Sequence, residues 1–395
     1  MPRLLHMADV HLGARHDDLG PAAAAQRERQ FAAFARAVAL AISEKVDVVL
    51  ICGDLFDSNS QPRRSVERAA AELGALVESH IPVVVIPGTH DCYEPSSIYR
   101  VFDLATLAGA RPGSNDLTVL TDDRPRVDFP DLGMTVHGFV FPTKRAPRSP
   151  LAGFSATSAK PGDGRGMTWQ VGMIHGSMPI PGKFDHDEVI FSDQEVAASG
   201  LHYLALGHWH SLRHGRAGST IWAYSGAPEP VALDQDGAGQ VLLVNLELRD
   251  DRPSVSLEAR QVGRTKFQKL ELDAGGLASQ AELQRRLADL ADGDRVLDVR
   301  LVGVRGDQLD IQVDEVERNL QSSFLRLRIR DRSIAALPDV PLAPQDTIAG
   351  AFARDYGARI VEAERDGDAA RAAELRDALR IGTLLLDDPS RVTLA

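Results

Sequence analysis

The run Val46-Asp-Val-Val-Leu-Ile-Cys-Gly-Asp-Leu-Phe-Asp57 decides the architecture. Its apolar, β-branched first half reads as a strand buried on both faces, because continuous rather than alternating hydrophobicity marks a strand inside a covered sheet. Glycine and aspartate follow at once, so the chain leaves the sheet through a tight turn that carries a carboxylate. Working outward, residues 4–8 and 81–86 read as strands of the same kind. Phe31, Phe34, Val38 and Ile42 repeat at helical spacing within residues 26–44, and residues 63–80 and 96–107 also read as helices. Strands alternating with helices predict an α/β sheet with its ligands at the strand carboxyl ends.

Farther along, the pattern changes. Residues 136–141, 170–174, 203–206 and 221–224 are short strands with few long helices between them. Residues 142–166 are rich in Pro, Gly and Ser and read as a surface loop carrying Lys144, Arg145, Arg148, Lys160 and Arg165. Residues 241–248 and 254–261 suggest a hairpin. A strand at 266–272, a helix at 279–291 and strands at 296–302 and 324–330 suggest a small α+β unit. A proline-bearing link, residues 338–344, leads to charged amphipathic helices at 346–365 and 368–379. The expected division is 1–262, 263–337 and 338–395.

The 395-residue chain is 44% hydrophobic and 25% charged, the balance of a globular protein large enough for more than one core. No apolar run approaches the ~20 residues that span a bilayer, and Asp9 and His11 interrupt the N-terminal segment before a signal-peptide core could form. The two cysteines, Cys52 and Cys92, argue against a disulfide scaffold and for a reducing compartment, so a cytoplasmic protein is expected. Both thiols read as small buried hydrophobes. The net charge of -12 runs against a nucleic-acid ligand, whose phosphates need clustered Lys and Arg. Cations bound at an acidic site invert the local field, so charge leaves a small phosphoester and a nucleic acid both open.

Five clusters carry the chemistry: Asp9-Val-His11, Gly53-Asp-Leu-Phe-Asp57, Gly88-Thr-His-Asp91, His175-Gly176 and Gly207-His-Trp-His210. Each follows an expected strand. Glycine beside a ligand lets the backbone approach a metal or phosphate closely. Carboxylate and imidazole together are the ligand mix for Mn, Fe or Zn. One Asp-x-His pair is common by chance; five such clusters at successive strand ends are not. Trp209 reads as packing or rim, and His186 is the one other histidine that is a candidate substrate contact.

The series resembles the calcineurin-like metallophosphoesterase superfamily, whose pattern runs D-x-H, G-D-x-x-D, G-N-H-D/E, H and G-H-x-H. Within it, Met7-Ala-Asp-Val-His-Leu-Gly13 and Ile51-Cys-Gly-Asp-Leu-Phe-Asp57 are most similar to SbcD-type DNA repair exonucleases. The motifs lie in roughly the first 230 residues, and the rest matches in layout only. The resemblance implies a β-sandwich flanked by helices, a small α+β capping domain and a C-terminal helical tail. It implies two divalent cations, manganese foremost with Fe or Zn as alternatives. Asp9, His11 and His210 would hold the first, Thr89, His175 and His208 the second, and Asp54 would bridge both. His90 would protonate the leaving oxygen, with Asp57 orienting it by a hydrogen bond. The family asparagine is replaced by Thr89, whose hydroxyl is a poorer donor to a cation, so the second site is expected to bind more weakly or through water.

The function implied first is a two-metal phosphodiesterase acting in DNA repair as an exo- or endonuclease on ends or single strands. The family also implies a homodimer whose tail docks on an SbcC-like coiled-coil ABC ATPase. Ile348, Phe352, Tyr356 and Ile360 have the i, i+4 spacing of a helix-in-groove contact, and equally of a helix packed on its own chain. Two other classes stay open. A small-molecule phosphodiesterase or protein phosphatase suits the acidic balance. A non-catalytic DNA-end or partner-binding module suits Thr89, though the intact His90 opposes it.

Overall fold

The computed structural model describes residues 1–141, 143–146, 148–156, 169–178, 189–233, 235, 237–250, 252–306, 309–335, 344 and 346–387. Lys160, Arg165, His186 and residues 338–343 of the link lie outside these. The chain forms two compact units, Met1–Lys266 and Phe267–Ala395.

The first unit begins with β1 (Arg3–Met7), α1 (Ala23–Ser43), β2 (Val48–Cys52), α2 (Arg63–Glu78) and β3 (Val83–Ile86). Next come α3 (Ile98–Val101), α4 (Leu104–Leu107) and β4 (Leu117–Val119). A second sheet is laid down by β5 (Arg126–Phe129), β6 (Met134–Phe139), β7 (Trp169–His175), β8 (Tyr203–Gly207), β9 (Arg213–Ala217) and β10 (Thr220–Tyr224), with α5 (Asp193–Ala198) before β8. The hairpin of β11 (Gln240–Arg249) and β12 (Arg252–Gln261) then returns to the first sheet. The sheet orders are β12-β11-β1-β2-β3-β4 and β5-β6-β7-β8-β10-β9. Strands β1 to β4 run parallel, as do β6, β7, β8 and β10.

Strand β2 is buried at every residue because both its faces are covered. Val49 and Ile51 pack with Phe34 and Val38 of α1 and Val66 and Leu73 of α2. Leu50 and Cys52 face the other way, onto Val171, Met173 and Tyr203 of the second sheet. Ile174, Leu204 and Leu206 on the far side of that sheet pack with Phe191 and with Val196 of α5. The first unit is therefore a β-sandwich flanked by helices.

Local differences from the expected elements have identifiable causes. The expected helix at 96–107 is two single turns, because Ser97 caps the first through the Tyr99 N–H and Asp103 caps the second through the Thr106 N–H. Short polar side chains compete with continuous helix in this way. Strands β4, β5 and β9 fell outside the expected set. All three lie at sheet edges; exposure there admits Arg126 in β5 and Arg213 and Arg216 in β9 and erases the apolar run, while β4 is only three residues long.

The second unit contains β13 (Lys266–Asp273), α6 (Gln280–Ala288), β14 (Asp292–Val302), β15 (Val304–Arg305), α7 (Val313–Leu320), β16 (Phe324–Asp331) and β17 (Ile334–Ala335). Leu283 and Leu287 of α6 and Val316 and Leu320 of α7 pack on Leu297, Val299, Leu327 and Ile329 of its sheet. Two helices follow, α8 (Ile348–Arg365) and α9 (Ala369–Asp387). Tyr356 and Ile360 of α8 pack with Ala363, Ala372 and Leu375, and Phe352 lies against Gly382. Most of the apolar stripe thus packs on its own chain, while Ile348 stays 79% exposed. The architecture is the expected one of sandwich, small α+β section and C-terminal helices. Among the described residues, no helix is long and apolar enough to cross a membrane.

Candidate metal centre

The five clusters sit where β1, β2, β3, β7 and β8 end, so parallel strands deliver them to one edge of the sandwich. Main-chain bonds fasten the first two loops together. The Asp9 N–H donates to the Gly53 carbonyl at 3.1 Å, and the His11 N–H to the Asp54 carbonyl at 2.9 Å. Asp9, His11, Asp54 and His208 have φ of 55°, 50°, 50° and 100°. Non-glycine residues in such conformations cost on the order of 1–3 kcal/mol each and gather where a side chain's aim matters. Gly88 is required by close approach, since a Cβ there would fall 2.2 Å from Asp54 Oδ1.

Asp54 is the hub, at 1% exposure. Its Oδ1 accepts from the His90 N–H at 2.7 Å. Its Oδ2 lies 3.1 Å from His175 Nε2 and 3.8 Å from His11 Nε2, and the Thr89 hydroxyl reaches it at 3.5 Å. The Asp9 carboxylate accepts from the His208 N–H at 2.9 and 3.1 Å, with His210 Nε2 at 3.9 Å. His11 and His210 face one another, Nε2 to Nε2, at 3.1 Å. The His208 ring stands edge-on to His175 at 5.4 Å. Asp9, His11 and His210 make one group with converging ligand atoms; Asp9, Asp54 and His175 make another.

Asp57 differs from its expected geometry. Its main-chain carbonyl accepts from His90 Nδ1 at 2.9 Å, while its carboxylate is 3.9 Å from that atom and pairs with His11 Nδ1 at 3.2 Å. The cause is pairing between loops. The Asp57 N–H donates to the Leu12 carbonyl at 3.1 Å, which delivers the side chain to His11.

Burial opposes charge on His175, yet Asp54 beside it and Asp9 behind it push the ring's pKa up to about 10. Burial would also raise Asp54, but His175 and then His11 hold it well below the usual carboxylate range. For His11, burial is outweighed by the Asp57 bond and the neighbouring carboxylates, and its pKa rises. Burial lowers His210 to about 4 against the pull of Asp9, with the adjacent His11 adding to the fall. Asp54 thus stays ionised and draws positive charge into the centre.

The donor set fits divalent cations. Oxygen and imidazole ligands together suit Mn, Fe or Zn. His175 Nδ1 donates to the Cys52 carbonyl at 2.9 Å, while its Nε2 is buried without a well-formed hydrogen bond. A ring fixed through one nitrogen in this way presents the other as a ligand. Asp57 fixes His11 similarly.

Two contributors were not singled out from sequence. Asp91, fully buried, accepts from the Gly88 N–H at 2.7 Å, the Phe56 N–H at 3.1 Å and the Tyr99 hydroxyl at 2.6 Å. It ties the loop after β2 to the loop after β3. Burial and then the charge of Asp54 raise its pKa. Its place at the end of the Gly88–Asp91 run was the available signal. Gln235 bonds His210 Nδ1, and no motif announces it. Other histidines make ordinary buried bonds, His6 to Tyr203, His16 to Gln30 and His137 to Gln170. Cys52 and Cys92 are free and buried.

Comparison with known proteins agrees with this geometry. The calcineurin-like phosphoesterase family model matches residues 2–212. The chain is 30% identical over 279 residues to the DNA double-strand break repair protein Mre11 of Aeropyrum pernix, an alignment spanning 70% of this chain and 64% of that protein. The Halobacterium salinarum protein of the same name is 26% identical over 404 residues, covering 98% of this chain and 95% of that one. An uncharacterized metallophosphoesterase of Bacillus subtilis, YhaO, is 23% identical over 292 residues, or 72% of this chain and 66% of that protein. With the family model covering more than half of its length, the chain belongs to the calcineurin-like phosphoesterases, a family of divalent-metal-dependent phosphoester hydrolases.

Proposed function

We propose that this chain is a two-metal phosphodiesterase whose substrate is DNA, cutting as an exo- or endonuclease in break repair. The observation that carries this reading is the position of Asp54, one buried carboxylate between His11 at 3.8 Å and His175 at 3.1 Å. A carboxylate has lone pairs enough on two oxygens to serve two cations. Asp9, His11 and His210 are assigned to the first cation, Thr89, His175 and His208 to the second, and Asp54 to both.

When bound, two such cations offset charge on a phosphate and lower the pKa of the attacking water. The protein's groups do the rest. With cations bound, the Asp57 carboxylate and the Cys52 carbonyl would hold Nδ1 of His11 and His175, so that each ring would offer Nε2 to metal. Asp91 steadies the loop bearing Thr89 and His90. His90 has a half-exposed side chain whose Nδ1 is engaged by the Asp57 carbonyl, so Nε2 is the atom that passes a proton to the leaving oxygen.

DNA is favoured over a small phosphodiester by relatives named for double-strand break repair, one of which aligns with 98% of this chain. Manganese, a homodimer and an SbcC-like coiled-coil ABC ATPase belong to the same proposal. So do a capping domain at residues 263–337 and a docking segment at 338–395. The test supplies Mn2+ with end-labelled duplex and single-stranded DNA, an aryl phosphodiester and a phosphomonoester, beside a His90→Ala control. Metal-dependent DNA cleavage that falls ~100-fold or more in the control is expected for loss of a general acid. Hydrolysis of the monoester alone would overturn the nuclease reading, and metal binding without His90-dependent hydrolysis would favour a binding module.

A further inference from the structure

We propose that Trp209 and Arg213 form a stacking platform for one unpaired base beside the scissile phosphate, which makes a single strand the preferred form of DNA at this centre. The inference rests on the nuclease reading above and deepens it by naming the form of the substrate. Trp209 fills the position that the pattern G-H-x-H leaves open, between His208 and His210. The two histidines are assigned to the cations. The Trp209 ring instead joins the cluster on the far side of the second sheet, 6.4 Å from Tyr224 between ring centroids, and is only partly buried. Its Nε1–H donates to the Ser177 hydroxyl at 3.0 Å, and Ser177 lies two residues after His175. The indole is thus tied to the loops that follow both β7 and β8, at the rim beside His175 and His208. A ring already held in place loses little further freedom when a ligand covers it.

Arg213 supplies the charge. It stands opposite Tyr224 in the β9–β10 register and so shares that face. Its side chain is exposed, and its guanidinium carbon lies 5.9 Å from the centroid of the Trp209 ring. Gly215 follows on the same face and makes room for an aromatic neighbour, since a Cβ there would fall 2.5 Å from Trp222 Cζ2. Trp222 in turn lies 6.1 Å from Tyr224. Residues 196–228 contain no Asp or Glu, in a chain with 56 of them, and their Lys and Arg are Arg213 and Arg216 alone. The acidic balance of the whole chain therefore does not extend to this corner.

An aromatic surface with a guanidinium beside it, adjoining a metal ligand, suits a base and the phosphate attached to it. Stacking accepts any base, because every base has a π-face. Inside a duplex both faces are covered by neighbouring bases, so the base that reaches Trp209 is an unpaired one.

The test compares Mn2+-dependent cleavage of an intact single-stranded oligonucleotide with a series in which one abasic position moves stepwise past the cut. Wild-type KM should rise roughly tenfold, the scale of one base–aromatic stack, at an abasic position within about two nucleotides of the cut, while kcat is largely kept. Trp209→Ala should show a similar rise on the intact strand, and the two losses should not multiply when variant and abasic strand are combined. Trp209→Phe should recover most of the affinity. A ring that is only structural would instead lower kcat on both strands alike, with losses that multiply, and that result would overturn the proposal. Wild-type indifference to every abasic position would overturn it too, without recourse to any variant. Arg213→Ala should flatten the slope of log binding constant against log salt by about 0.7, the share of one single-strand phosphate contact; an unchanged slope would remove Arg213 from the platform. Wild-type protein that cleaves no DNA would overturn the nuclease reading itself, whereas cleavage unaffected by base removal would overturn the platform alone.

Discussion

Thr89 stands where the family pattern has asparagine, and its buried hydroxyl lies 3.5 Å from Asp54 Oδ2. An amide oxygen is a better neutral ligand, so Thr89→Asn should tighten Mn2+ binding at the second site; equal affinities in titrations of both forms would remove Thr89 from the ligand set. Asp91 acts at one remove from the chemistry. Replacing it with alanine leaves the Gly88 and Phe56 N–H groups and the Tyr99 hydroxyl without their acceptor. Each such buried loss costs about 1–3 kcal/mol. Asp91→Ala should therefore lower both thermal stability and kcat, whereas Tyr99→Phe, which removes one donor, should cost only about 1 kcal/mol. If the two variants melt alike, the main-chain bonds to Asp91 are not what fasten the loops. The five clusters were legible because their residue types and order are local. The partners of each ring nitrogen were not, since Asp57 reaches His11 and Gln235 reaches His210 only through tertiary contact.

At the scale of elements, β1 and β8 meet across the sandwich through a polar pair, His6 Nδ1 and the Tyr203 hydroxyl at 2.8 Å. Burial lowers the His6 pKa to about 3 from an ordinary 6.5. Above pH 6.5 neither folded nor unfolded chain holds this proton, and His6 imposes no pH-linked penalty. As pH falls from 6.5 toward 3 the unfolded chain binds the proton first, so stability falls by roughly 1.4 kcal/mol per unit. Between pH 8 and pH 5 the loss from His6 is about 2 kcal/mol. His6→Leu should be less stable at pH 8, because Tyr203 loses its partner, yet should lose less on acidification. Urea unfolding at both pH values measures this, and parallel losses would place the acid sensitivity elsewhere. Central strands such as β2 were legible because cover on both faces makes them uniformly apolar. The edge strands β4, β5 and β9 were not, and the caps at Ser97 and Asp103 broke a helix that periodicity alone would join.

For the whole molecule, parallel strands in two stacked sheets explain why distant clusters share one edge, and that much follows from the alternation of strand and helix. The net charge of -12 gives no account of how DNA would be held, so on the proposed reading cations at the centre would serve binding as well as chemistry. Saturating metal should stabilise the fold by mass action, about 2.7 kcal/mol at a hundred times Kd. A chelator-reversible rise in Tm, absent in Asp54→Asn, is the expected sign; a rise of equal size in that variant would locate the metal elsewhere. The most direct test of the centre is anomalous diffraction at the manganese edge from crystals grown with Mn2+. Two peaks roughly 3.5–4 Å apart, one beside His11 and His210, the other beside His175 and His208, with Asp54 between them, are expected. A single peak, or none within reach of Asp54, would contradict a shared two-metal centre.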